Sequence, residues 1–209
     1  MRNTAAIAAR AGLLLGLVLL ADSAAAQSFR RSGTEFNASR SVTLPAGKPY
    51  TIVVCEFLHH GEIRPDGNNV LVVAGNREVA PLRVLQVGPG DVCRIAFQPL
   101  RGQSEYEIFY GGEPPTEKPP RWTATDGLLL ETRQFQQCNL KSFELVRRAF
   151  DAAKPIGADY VESVFHSSNP FTLSHAPFLS HYSGVMDIPK TGTYGFFTSS
   201  MDCSFLLID

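Results

Sequence analysis

The residues able to do chemistry in this chain are few and widely spaced: five histidines, four cysteines, and scattered serines and carboxylates. His59-His60 with Glu62 lies in one part of the sequence; His166, His175 and His181 lie in another. Zinc sites announce themselves by two histidines one helical turn apart or by Cys-x-x-Cys pairs. Neither pattern occurs, and the loop histidines read as ordinary surface residues. Ser167-Ser168 beside His166 lacks the Gly-x-Ser-x-Gly elbow that exposes a nucleophile. The carboxylate pairs Asp126/Glu131 and Asp159/Glu162 read as solvated strand and turn residues rather than a glycosidase acid–base pair. No enzyme motif emerges, so the expectation is a non-catalytic protein.

The cysteines, Cys55, Cys93, Cys138 and Cys203, form an even set. In an exported chain such a set is a disulfide framework by default. Three pairings are open. Sequence order and domain division favour Cys55–Cys93 and Cys138–Cys203, each stabilising by roughly 2–4 kcal/mol if unstrained. Export is the reading of the N-terminus. Arg2 and Arg10 supply positive charge, Ala11 to Ala21 is apolar, and Ala24-Ala25-Ala26 precedes Gln27, so residues 1–26 read as a signal peptide. No cysteine follows the cleavage site to carry a lipid, and no later apolar stretch is long enough to span a bilayer. The expected location is secreted or extracytoplasmic, in a periplasm or at a cell surface.

These residues must be positioned by a mature chain of about 180 residues, enough for one large domain or two small ones. Seventeen glycines and 14 prolines, with 14 phenylalanines and modest charge, point to β structure rich in turns. A net charge of −1 with scattered Lys and Arg excludes a basic stripe for nucleic acid. The fold class expected is all-β: two β-sandwich-like modules, the second incomplete and carrying one helix. Residues 27–40 are polar, contain Arg30-Arg31 and lack periodicity, and they read as a flexible leader. Within it, Asn37-Ala38-Ser39 matches a glycosylation acceptor.

Residues 41–112 read as an N-terminal β-sandwich. Tyr50–Leu58 is a continuous apolar run, Pro65–Asn69 a turn, and Val70–Ala74, Pro81–Val87 and Val92–Phe97 are further strands. Glu105–Tyr110 alternates Tyr106, Ile108 and Tyr110 on one face. The rhythm resembles an immunoglobulin-like sandwich, without the Trp usual between its two cysteines. Residues 113–125, with four prolines, read as an extended linker, and Trp122 as packing on a domain face. Residues 126–209 form the second module. Its helix spans Ser142–Lys154, with Phe143, Val146, Phe150 and Ala153 on one face and Pro155 as the stop. A strand is expected at Tyr160–Phe165, followed by a long loop over residues 166–180.

The tail offers the strongest functional clue. Val185–Ile188 reads as a short strand, Pro189-Lys190-Thr191-Gly192 as a turn, and Thr193–Ser199 as a second strand carrying Tyr194, Phe196 and Phe197. Ser199–Ser204 is a polar break, and Phe205–Ile208 a third strand. This order of turn, aromatic strand, Ser-Ser-x-Asp loop and Leu-Leu-Ile-Asp strand resembles the protective-antigen-type (PA-14) β-sandwich domain. Gly127-Leu128 likewise resembles that family's opening strand. Many members bind carbohydrate. In the sugar-binding branch two adjacent aspartates of the equivalent loop hold calcium, which in turn holds sugar hydroxyls. Here Asp202 matches one aspartate, and Met201 and Cys203 flank it. The resemblance therefore implies Ser199, Ser200, Asp202 and Ser204 as ligand-binding residues and Asp202 as a calcium ligand. The alternative is that Asp202 and Ser204 cap a tight turn. A Cys138–Cys203 bridge would restrain this loop.

Family members continue past the Ile-Asp pair with further strands. The second module is accordingly expected to be a piece with an exposed edge beside Phe205–Ile208, with downstream domains of the same protein as partners. The function expected is glycan or cell-surface recognition. The alternatives are a structural or adhesive spacer of a larger surface protein and an accessory segment of a secreted glycoside hydrolase.

Overall fold

A computed structural model describes residues 29–31, 33–46 and 49–208, so the proposed signal peptide lies outside the described residues. The fold is all-β, with eleven strands and one helix among the described residues. The chain divides into two compact units, the first ending at Gly127 and the second beginning at Leu128.

The first unit contains β1 (Phe29–Arg31), β2 (Thr34–Phe36), β3 (Ala38–Thr43), β4 (Val53–Leu58), β5 (Val70–Ala74), β6 (Leu82–Val87), β7 (Val92–Phe97) and β8 (Glu105–Tyr110). Two antiparallel three-stranded sheets form, in the orders β3-β8-β5 and β4-β7-β6. Period-2 alternation sends Val42, Tyr106, Ile108 and Tyr110 from one sheet, and Cys55, Phe57, Cys93, Ile95 and Phe97 from the other, into one shared core. The Asp66-Gly67 turn ahead of β5 needs its glycine. Gly67 has φ of +66°, and an added Cβ would stand 2.7 Å from Val84 Cγ1.

β5 explains why strands form within residues 27–40, the segment expected to be a flexible leader. Its five residues are all buried. Val70, Val72 and Ala74 enter the shared core, so Leu71 and Val73 must be covered from the opposite side. The β1–β2 hairpin covers them: Phe36 is 0 % exposed, and the rings of Phe29 and Phe36 lie 5.8 and 5.6 Å from that of Phe109. The segment expected to be free is a lid on a second apolar layer. The proline-rich stretch is likewise fastened. Glu117 accepts from Arg31 at 2.9 Å, Thr123 N–H donates to Gln98 at 2.7 Å, and Arg83 stacks 4.4 Å above the Trp122 ring.

The second unit contains β9 (Leu128–Gln134), α1 (Phe143–Ala152), β10 (Pro155–Val161) and β11 (Phe178–Gly184). β9 is central and antiparallel to both neighbours. Ser142 caps α1 by accepting from Leu145 N–H, and Phe150 and Ala153 are the buried residues of the expected apolar face. Arg133 lies over the Phe150 ring at 4.6 Å and donates to the carbonyls of Phe150 and Asp151, neutralising the carbonyl end of the helix. The expected strand at Tyr160–Phe165 is displaced toward the helix, because β10 begins at Pro155 and ends at Val161.

The three strands expected in the tail do not form. Residues 185–208 carry no strand, and most of their large apolar side chains stand in solvent. Alternation decides which side chains share a face; only a neighbouring ladder of N–H and C=O groups makes an extended segment a strand. β9 is already paired on both sides, and neither edge of its sheet takes up the tail.

Candidate functional site

The loop Ser199–Ser204 is exposed apart from a half-buried Cys203, so every residue assigned to ligand is accessible. Ser204 Oγ donates to Thr198 Oγ1 at 2.8 Å, closing the loop at its base. Phe197 and Met201 project into solvent on either side of Ser199-Ser200, Phe197 at 98 % exposure. Asp202 is the loop's single carboxylate. Among the described residues no group of three or more His, Cys, Asp or Glu side chains could hold a metal ion. Calcium asks for six to eight oxygens, usually with several carboxylates. The clamp implied for Asp202 is therefore not assembled.

Each cysteine is a free thiol, against the expected bridges. The register explains one of them. Cys55 lies opposite Ile95 and Cys93 opposite Phe57, so the two cysteines are diagonal neighbours on β4 and β7 rather than cross-strand partners. Diagonal positions are about 7–8 Å apart, too far for a disulfide without moving the ladder. Burial pushes both thiols up to about 12, which leaves them without thiolate at neutral pH. Cys138 and Cys203 are only half-buried. Burial first, then the charges of Asp202 and Cys138, raises the Cys203 thiol.

The histidines do not converge. His59 is buried, and its Nδ1 accepts from Ile63 N–H at 3.1 Å, which makes it a turn-closing residue. Glu62 instead accepts from Asn37 Nδ2 at 2.6 Å. In the second unit His166 Nδ1 meets the Tyr182 hydroxyl at 2.6 Å and packs against Phe178. Burial lowers its pKa. His181 lies on the opposite face of the sheet, 3.4 Å from Glu131 Oε2 and edge-on to Phe150. Of the pair Asp159/Glu162, Asp159 Oδ1 accepts from Tyr160 N–H at 2.8 Å.

One polar contact escaped the sequence reading. Thr132, buried at the centre of β9, donates to Asn169 Oδ1 at 3.3 Å, and the same oxygen accepts from Phe171 N–H at 3.0 Å. This pins the loop 162–177 to the face of the sheet that carries His166 and Tyr182. The only sequence signal was a threonine at an inward strand position after Leu130. In the first unit an open groove of about 310 Å³ lies against Val70, Leu82, Val84, Pro114 and Pro119. Asn68, Glu117 and Lys118 also line it, and the Glu117 carboxylate is engaged by Arg31.

No family model, curated protein or solved structure matches this chain. No helix among the described residues is long and apolar enough to cross a membrane.

Proposed function

We propose that the chain is an exported, non-catalytic recognition protein whose second unit presents residues 185–208 to a glycan or another cell-surface component. The observation that carries this reading is the exposure of that segment. Val185, Ile188, Phe197, Leu206, Leu207 and Ile208 all stand in solvent beside the hydroxyl-rich Ser199–Ser204 loop. Exposed apolar surface of this extent marks a contact site more often than a solvated face. The carbohydrate class comes from the resemblance of the tail to the protective-antigen-type domain. In that reading Ser199, Ser200, Asp202 and Ser204 supply oxygens to sugar hydroxyls or to a calcium ion that bridges to them.

The single carboxylate of the loop favours a second reading, a ligand-free structural or adhesive spacer in a larger surface protein. One experiment separates the two. The full-length chain is applied to a glycan array with calcium and with a chelator. Binding that Asp202→Asn weakens about tenfold in calcium supports recognition through the loop. No binding in either condition leaves the spacer reading.

A further inference from the structure

The four thiols fall into two pairs of different chemistry. Cys55 and Cys93 are locked in neighbouring strands and buried. Cys138 and Cys203 both lie in irregular chain, where a small backbone shift breaks no ladder. Cys138 sits in the connection between β9 and α1, and Cys203 in the tail loop. A contact beside them holds these segments together. The Phe205 ring packs edge-on against Phe143, the first residue of α1, with centroids 5.7 Å apart and planes at 61°. The Cys203 thiol also responds to the charge of Cys138, which needs the two sulfurs within electrostatic reach. Both are half-buried, open to a small redox reagent yet sheltered from bulk solvent.

We infer that Cys138 and Cys203 form a redox clasp that ties residues 185–208 to the start of α1. The oxidant is a disulfide, such as oxidised glutathione or a disulfide-carrying oxidoreductase. A thiolate of the pair attacks one of its sulfurs, forming a mixed disulfide and releasing one thiol. The second thiolate attacks the mixed disulfide, and a second thiol leaves. In sum, two protein thiols give up two electrons and two protons, and the oxidant's S–S bond is reduced to two thiols. Reduced, the tail is held by non-covalent contacts such as Phe143–Phe205; oxidised, its loop is fixed covalently on the second unit. Because a thiolate must attack and the Cys203 thiol is raised, closure accelerates with increasing pH.

The test uses the full chain, reduced and then equilibrated at pH 8 in glutathione buffers from fully reducing to fully oxidising. Free thiols are alkylated without unfolding, and the peptides are mapped by mass spectrometry. The expected result is a Cys138–Cys203 peptide under oxidising conditions, with Cys55 and Cys93 alkylated only after denaturation. Trypsin then provides a second measurement at the exposed Lys190. The cleaved tail stays attached to oxidised protein and leaves on reduction, whereas in Cys203→Ser it leaves without reductant. The proposal is overturned if both cysteines remain alkylable in excess oxidised glutathione, or carry only glutathione, or pair with Cys55 or Cys93. The clasp is independent of the glycan reading, since mapping detects a covalent bond and the array detects binding; either can fail alone.

Discussion

The two units use similar residues to opposite effect. In the first, the apolar positions of six strands meet across two sheets, and Cys93, Ile95, Ala96 and Phe97 lose all contact with water. In the second, one three-stranded sheet and one helix bury a thinner set, Leu129, Leu130, Phe150, Ala153, Tyr160 and Leu179. The following two dozen residues, equally aromatic and aliphatic, stay largely in solvent. Apolar alternation creates a demand for burial; a second sheet meets it in one unit and nothing described meets it in the other. The difference teaches that a β-like pattern marks either a core strand or a contact surface, and that only a partner strand decides which.

Truncating one phenylalanine in each region separates the two environments most strongly. Phe97 is 0 % exposed and its ring lies 4.8 Å from that of Tyr106. Phe97→Ala is expected to destabilise the first unit by about 3–5 kcal/mol through lost burial and the cavity left behind. Phe197→Ala is expected to change stability by less than about 0.5 kcal/mol, because a side chain already in water loses nothing on removal. Urea unfolding of both variants checks the pair. A loss of more than about 2 kcal/mol in Phe197→Ala would mean that the tail is packed rather than displayed.

Gly112→Ala has a smaller expected effect and probes how the first unit closes over its hairpin. Gly112 has φ of +70°, and a Cβ there would stand 2.5 Å from the Glu35 carbonyl oxygen in β2. Left-handed strain together with this backbone clash is expected to cost about 1–3 kcal/mol. Hydrogen exchange locates the cost. Amides of residues 29–36 should lose protection while those of β7 keep theirs. Unchanged protection at 29–36 would show that the hairpin does not depend on this approach.

Much of the first unit was legible because its strands carry their own evidence. Val70–Ala74 is an uninterrupted apolar run, Glu105–Tyr110 alternates cleanly, and Asp66-Gly67 marks a turn. The β1–β2 hairpin was hidden, because Arg30, Arg31 and Glu35 give it a polar composition and only Phe29 and Phe36 do the covering. In the second unit the helix face was readable from its 3.6-residue period, and Phe150 and Ala153 occupy it. The tail was misread as strands because residue order reports propensity, not the presence of a neighbour. The Cys55–Cys93 bridge was overread for a related reason: an even number of cysteines says nothing about register, which places these two diagonally. At the candidate site the exposed Ser199–Ser204 loop lies outside any group of three or more His, Cys, Asp or Glu side chains among the described residues, which residue order alone does not report. The His166–Tyr182 contact joins a loop to a strand with no periodic relation between them, so no pattern announced it.

That contact gives the second unit a pH response of its own, the smallest of the expected effects. His166 is half-buried between Phe178 and Tyr182, and desolvation lowers its pKa from the usual 6.5. A lowered pKa means that the unfolded chain takes up the proton more readily than the folded one. Above pH 6.5 both states hold a neutral ring and the stabilising contribution is fully present. As pH falls through 6.5 toward the folded value, the unfolded state gains protons first and this contribution is lost. The second unit should therefore lose stability on acidification before the carboxylates titrate, as read from β9 amides. His166→Gln removes the titrating ring and should flatten the second unit's response between pH 7 and 5. A response that survives this substitution would assign the proton uptake to another group and overturn the role given to His166.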